Sequence, residues 1–443
     1  MENKTGIKTE TIFLFLSLIF GLMFAISVHG VHDESTHLNK AFDVSEGHIF
    51  PENANVTTPE NLETYTMWQT IDQPVNKNGN RIVDMSGQSI MSYSPLPYLS
   101  SSLVIKVGVF FNCSAIIIVI MCRIINLLIY TFIVYFALKI IPILKTALLL
   151  IALMPSTISH GASASGDSLT IALSFLVIAI FLNLALSKNK IQRKDVFIIF
   201  ISSLALSLTK PTYALLSLLF FIIPHSKFKN LRNGIITFIC SCLIPLSISV
   251  IWNAKFKHLY SDLDYSFNSY MNVHTYNITF LSSHPLKFLD MITNTIIYNN
   301  GFTINTLIPQ FVADHGSGFG LPLFLTYIYL IVLLVVSLYN VSGLKINLKQ
   351  KLIGLSVFSI IFSSISIAEF ITWTPLGEDI IWGLQGRYFI PLAPLLLLVF
   401  NNSLKNNSLK KFYKKFNWNI VVILYIVFFL SLSLFFIATN QKF

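Results

Sequence analysis

Chemistry in this chain rests on few residues, because only 20 acids occur in 443 positions. The densest group is His32-Asp33-Glu34-Ser35-Thr36-His37, the first polar stretch after the first long apolar run. Asp33 and His37 are four apart, and Glu34 and His37 three apart. A helix beginning near residue 33 would therefore set a carboxylate and an imidazole on one face. Adjacent carboxylates shielded from water repel, which raises one pKa and leaves the other as a usable base. The plainer alternative is an acidic helix N-terminus; Leu38, Ala41 and Phe42 just beyond suggest a helix lying against the membrane. A second acid, Asp167 in Ser163-Ala164-Ser165-Gly166-Asp167-Ser168, is alone between Asp84 and Asp195. Either it positions a metal or an acceptor, or it caps the helix that starts at Ser168.

Cations are the next candidates. Arg123 falls inside an apolar run, where an ionised group costs about 3 kcal/mol unless it is paired or faces a wet cavity. Lys210 marks the Thr209-Lys210-Pro211 turn, and Arg387 sits in Gln385-Gly386-Arg387-Tyr388-Phe389. Arginine binds phosphate oxygens bidentately and lysine acts as a point charge, so Arg123, Lys210 and Arg387, with Gln385, Tyr388 and His37 beside them, suit a phosphate-bearing substrate. Snorkelling to the interface is the alternative for Lys210 and Arg387. His258, His274 and His284 lack metal-ligand spacing, and no Walker loop, dinucleotide fingerprint or serine elbow is present. A soluble nucleotide-sugar site is thus not expected.

The elements that must position these groups are membrane helices. The chain is 54% hydrophobic and 11% charged, with a mean hydropathy of +0.69, outside the range of soluble domains. About 20 apolar residues cross the hydrocarbon core. By that measure spans fall near 11–30, 115–138, 146–164, 168–187, 195–209, 211–224, 234–252, 319–339, 351–372, 382–400 and 418–438. The expectation is an all-α integral membrane protein of about eleven transmembrane helices in a single membrane domain, residues 1–443. The first run reads as a retained span and not a signal peptide, since it exceeds a usual apolar region and lacks a good cleavage site. The short pair 195–209 and 211–224, split at Lys210-Pro211, should form a hairpin or re-entrant feature. Residues 95–111 are apolar enough to cross, but counting them as a span would invert every later loop, so they read as a juxtamembrane helix at the outer surface.

With the N-terminus cytoplasmic, the inside loops gather most lysines and arginines, among them Lys139, Lys145, Lys188, Arg193, Lys227, Arg232, Lys349 and Lys405–Lys415, and only Glu2, Glu10 and Asp195 of the acids. The formal charge of +10 is therefore a topology signal, and no nucleic-acid partner is expected. Outside lie a large first loop, 31–114, which carries the juxtamembrane helix, and a second loop, 253–318, ending in the glycine-rich Asp314-His315-Gly316-Ser317-Gly318-Phe319-Gly320. The basic stretch 401–415 reads as a cytoplasmic loop beside anionic lipid. Cys113, Cys122, Cys240 and Cys242 read as packing residues, with no disulfide or metal framework.

Taken in order, the Asp33-Glu34 pair, Pro95-Leu96-Pro97-Tyr98, Arg123, the Pro155 to Ser165-Gly166-Asp167 turn, Lys210-Pro211 and Gln385-Gly386-Arg387-Tyr388-Phe389-Ile390-Pro391 resemble a bacterial multispan membrane family catalogued as a domain of unknown function. That pattern, over roughly residues 11–400, resembles the GT-C superfamily of lipid-linked sugar transferases. Phage-type O-antigen glucosyltransferases are similar in size and layout. The resemblance implies a GT-C-like fold and an inverting hexosyltransferase in the bacterial inner membrane with its site facing the periplasm. A polyprenyl-phosphate sugar would be the donor and a lipid-linked O-antigen or similar glycan the acceptor. It implies an acid in the first outer loop as base, here Asp33 or Glu34, and a second acid in the next, here Asp167. A divalent cation, magnesium or manganese, is left open. The glycine-rich segment before the eighth span departs from the pattern, which leaves the role of Asp314 open. An O-antigen polymerase is the nearest enzymatic alternative. A transporter or flippase of lipid-linked sugars, the alternative from another class, predicts midplane acids and inverted repeats.

Overall fold

The computed structural model of the chain describes residues 7–27, 30–50, 55–59, 62, 75, 80–85, 89–256, 273–298, 307–313, 321–338, 344–375, 377–401 and 418–440. The glycine-rich segment 314–320, most of the basic stretch after Asn401, and His258 lie outside the described residues.

The first span forms α1, Thr9–Ala25. The helix expected near residue 33 is α2, Glu34–Ser45, with Asp33 at its N-cap in the left-handed region at φ 62°. Aspartate tolerates that conformation better than most residues. Leu38, Ala41 and Phe42 do not lie against the membrane, as the sequence suggested. They are buried in a local core with Tyr98, Ile105, Ile118 and Cys122. An antiparallel two-stranded ribbon, β1 (Asn55–Pro59) with β2 (Asn80–Asp84), is an addition to the all-α expectation. It pairs Val56 with Val83. Residues 96–98 make a short turn of 3-10 helix that leads into α3, Leu99–Phe110. This helix buries Ser101, Ser102 and Ile105 and exposes Leu99, Leu103, Val107 and Phe110. A helix that hides serines and presents leucines to its surroundings is the arrangement a juxtamembrane helix needs.

The bundle follows. Helix α4, Ala115–Ile140, packs between α1 and the later helix α7, Asp167–Leu186. Between them the expected span 146–164 is broken in two: α5, Lys145–Ala152, and α6, Pro155–Gly161. Proline forces the preceding residue out of the helical region, and Met154 has ψ 137°. Next come α8, Arg193–Ser207, and a long 3-10 helix, Pro211–Ile222. At about 2 Å per residue this tighter coil covers more distance than an α-helix of equal length. Residues 231–256 form α9, which includes a π-helical turn, Ile239–Leu243. Shorter helices α10 (Val273–Ser283), α11 (Pro285–Thr293) and α12 (Ile308–Ala313) precede α13 (Leu323–Leu338) and the capped α14 (Leu348–Trp373). The tenth expected span is shorter than predicted: a 3-10 turn, Gly386–Leu392, leads into α15, Ala393–Phe400. Helix α16, Trp418–Asn440, ends the described chain.

Five helices among the described residues are long and apolar enough to cross a membrane, and five shorter apolar ones accompany them. The protein is a multi-pass, helical membrane protein. Helix ends sort into two sets. Asp33 follows α1, Asp167 opens α7, Lys210 closes α8, Glu369 is near the end of α14, and Arg387 precedes α15. At the other end, Lys145 opening α5 bonds Glu10 of α1 at 2.8 Å, and the Ile191 amide donates to the Lys227 carbonyl at 3.0 Å.

Candidate active site

The first set of helix ends encloses a cavity of about 410 Å³, within the usual range for small-molecule sites. Asp33, His37, Asp167, Lys210, Gln385, Arg387 and Tyr388 all line it, joined by Tyr93, Tyr213, Glu369 and Trp373. Seven of the nine residues singled out by sequence are thus brought together, from four separate stretches of chain.

Charge organises one wall. Asp167 has both oxygens engaged: Oδ1 pairs with Lys210 Nζ, and Oδ2 lies 3.4 Å from Arg387 Nη1. Arg387 Nη2 also pairs with Asp33 Oδ2, Nη1 donates to the His32 carbonyl at 3.0 Å, and Nε donates to Gln385 Oε1 at 2.6 Å. Neither acid caps its helix through its side chain, so both turn toward cations. Nor do Lys210 and Arg387 snorkel. The Lys210 ammonium stands 5.8 Å from the Tyr93 ring centre and 5.7 Å from that of Tyr388, and Arg387 lies 5.3 Å from Tyr388. Such contacts strengthen when water is excluded. The Asp33 side chain remains 48% exposed, so the acid reaches the cavity from the edge of this wall.

Backbone geometry sets the cations. Lys210 is extended, at φ −132°, immediately before the proline that begins the 3-10 helix. Gly386 must be glycine, because a Cβ there would overlap the Leu307 carbonyl oxygen and stand 2.7 Å from the Phe311 amide. Its own amide donates to Gln310 Oε1 at 2.9 Å, which ties the Arg387 segment to α12. The two cation segments are joined where the Tyr213 hydroxyl donates to the Tyr388 carbonyl at 2.7 Å.

Glu34 and Arg123 do not face the cavity, which corrects two expectations. Arg123 Nε and Nη2 donate to Glu34 Oε1 and Oε2 at 2.9 and 2.6 Å, and Nη1 donates to the carbonyls of Ala25 and Ser27. Both side chains are at most 2% exposed. A buried arginine whose donors already have protein acceptors is no phosphate ligand. A carboxylate fully committed to it, and to the Ala164 amide at 2.7 Å, is no base. The pair is a brace: it fixes the end of α1, the start of α2 and the loop before Asp167 relative to one another. Removing one partner from such a pair leaves the other buried and uncompensated.

His37 Nδ1 lies 2.9 Å from the Tyr98 hydroxyl, so the Pro95-Leu96-Pro97-Tyr98 motif supports the helix that carries Asp33. Burial pushes the His37 imidazole down to about 4, which leaves it neutral at pH 7. For Asp33, burial opposes ionisation, but the charge of Arg387 and its hydrogen bond outweigh it and hold the carboxyl below its ordinary value. Among the described residues no three histidine, cysteine, aspartate or glutamate side chains stand together as a metal would require. Asp33 and Asp167 have cations as partners instead.

Glu369 escaped sequence reading. Near the end of α14, it also lines the cavity, and its Oε2 is buried with no hydrogen-bond partner among the described residues. An acid within a spanning helix is itself the signal that could have found it.

With this geometry in hand, comparison with known proteins gives one family. A profile described as predicted membrane protein (DUF2142) matches residues 52–396, most of the chain, and the protein belongs to that family. No curated protein and no solved structure matches it.

Proposed function

We propose that this cavity is the active site of a glycosyltransferase. It would take a sugar, a hexose such as glucose, from a polyprenyl-phosphate donor and pass it to a hydroxyl of a lipid-linked O-antigen or similar surface glycan. The observation that carries the reading is the convergence of Lys210 and Arg387 with Asp33 at one end of a membrane bundle. Two cations suit a lipid phosphate, and an acid with an oxygen free of Arg387 suits an attacking hydroxyl. A lipid-borne donor enters from the bilayer, which accords with cations placed at helix ends and with a sequence that has no nucleotide-binding motif.

In this scheme Lys210 and Arg387 exchange part of their pairing with Asp167 and Asp33 for the donor phosphate. They then stabilise the charge that grows on the departing lipid phosphate. Asp167 holds both cations in place, and Asp33 receives the acceptor hydroxyl through Oδ1. Gln385, Tyr388 and His37 position these groups. The site would face the periplasm of a bacterial inner membrane, with a cytoplasmic N-terminus and the eleven crossings and GT-C-like arrangement that the sequence pattern implies.

The test uses protein in detergent, where two compartments no longer exist and transport cannot be scored. Wild-type protein should move label from polyprenyl-phosphate [14C]glucose to a lipid-linked glycan. Asp33→Asn should lower that rate by about 10²-fold, the scale of a misplaced acceptor. Transfer by Asp33→Asn at the wild-type rate would sink the assignment. The products also separate transfer from polymerisation, since a side branch leaves the glycan backbone length unchanged.

A further inference from the structure

The cavity holds three carboxylates and two cations, and the two cations are committed to two of the acids. Asp167 is held by Lys210 and Arg387, and Asp33 by Arg387. Glu369 is different: it comes from α14, and its buried Oε2 has no hydrogen-bond partner among the described residues. Gly383, at φ +79°, stands where a Cβ would come within 2.5 Å of Glu369 Oε2 and 3.0 Å of the Trp373 ring. Gly383 thus borders Glu369 and the indole beside it in a backbone conformation that favours glycine. Leaving a buried carboxylate oxygen without a partner is costly unless something in the working cycle supplies one.

Resting on the glycosyl-transfer reading above, we propose that Glu369 is a catalytic residue and takes the acceptor's proton. The acceptor oxygen forms a bond to the anomeric carbon. The bond from that carbon to the phosphate oxygen breaks, its electron pair leaving with the lipid phosphate. The hydroxyl proton ends on Glu369 Oε2. The lipid phosphate goes from a monoanion to a dianion beside Lys210 and Arg387, and Glu369 goes from charged to neutral, so the charge summed over cavity and substrates is unchanged by the transfer. Asp33 orients the hydroxyl, but a carboxylate paired with arginine gives up its ionised state reluctantly and is a poor place for a proton to rest. Its pKa, held below the ordinary value, points the same way. Among the described residues Glu369 Oε2 has no such partner.

A nucleophile that carries no proton separates this role from donor binding. Azide attacks an anomeric carbon without needing a base. Glu369→Gln keeps the side-chain shape, and it should lower transfer to the glycan hydroxyl by 10²- to 10⁴-fold. In sodium azide it should form glycosyl azide from polyprenyl-phosphate [14C]glucose at the wild-type rate. Glu369→Asp, with the carboxylate drawn back, should regain part of the hydroxyl reaction. Three results overturn the proposal: hydroxyl transfer by Glu369→Gln within threefold of wild type; equal loss of the azide and hydroxyl reactions in a variant that elutes as wild type on size exclusion; or equal loss in a variant that does not, with Glu369→Asp folded and as inactive toward azide as toward hydroxyl. If wild type itself transfers no label to either nucleophile, the glycosyl-transfer reading fails first, and that failure is visible without any variant.

Discussion

Asp33 and His37, one turn apart, show how burial acts on the two signs of charge. Both lose solvent; Arg387 restores the charge of Asp33, and His37 has no comparable support. His37 faces Asp167 and Asp33, which favour its protonation, and Lys210 and Arg387, which oppose it, so burial decides and its pKa falls from 6.5 to about 4. The sign for stability follows. Between those values the unfolded chain binds a proton that the folded chain refuses, so stability is lost as pH drops from 6.5 toward 4, by up to about 1.4 kcal/mol per pH unit. Thermal unfolding in detergent should show this slope, and His37→Gln should remove it. A slope unchanged in His37→Gln would assign it to another group. Asp33, whose pKa is depressed below 3.8, contributes at any pH above that value and adds nothing to the slope in this window. Residue types located Asp33, Asp167, Lys210 and Arg387 from sequence, because charges in so apolar a chain need a shared wet site. They could not say which cation meets which acid. Glu34 and Arg123 are 89 residues apart and look like site residues for the same reason, yet they satisfy each other.

Apolar helices were legible as elements because hydrophobic length is a direct demand of the bilayer, and five among the described residues are long enough to cross it. What the pattern concealed was where helices break. Pro155 divides one expected span, and the cation segments begin 3-10 helices instead of α-helices. Those departures share a cause: proline or a close backbone crossing removes the regular hydrogen bond. Gly386 is the tightest of these crossings, since the atoms a Cβ would meet belong to the backbone of residues 307 and 311 and cannot rotate away. Gly386→Ala should therefore destabilise the protein by about 1–3 kcal/mol, the range for an overpacked interior, and displace Arg387 enough to reduce transfer. Gly234→Ala is the control. A Cβ there meets the Phe228 ring at an ordinary 3.5 Å, and alanine favours the helix. Unfolding midpoints of the two variants, compared in the same detergent, check the difference. Equal midpoints would mean that α12 can retreat and that the crossing does not hold the arginine.

Among the described residues, three basic residues at helix ends lie opposite the cavity. Lys139 is in the last turn of α4, Lys145 opens α5, and Arg193 opens α8, each at the end away from Asp33, Asp167, Lys210 and Arg387. Because excess lysine and arginine remain on the cytoplasmic side during insertion, this polarity predicts that the cavity opens on the far face. The consequence is measurable without knowing any substrate. In a variant with Cys113, Cys122, Cys240 and Cys242 replaced by serine, a single cysteine can be introduced at either end. Glu46, exposed at the end of α2, belongs to the cavity side; Lys190, exposed between α7 and α8, belongs to the other. Glu46→Cys should react with a membrane-impermeant maleimide in intact spheroplasts. Lys190→Cys should react only after the membrane is opened. The reverse pattern would turn the cavity toward the nucleotide pool. The case for a lipid-borne donor, which rests on cations that open away from the cytoplasm beside the bilayer, would then lose its footing.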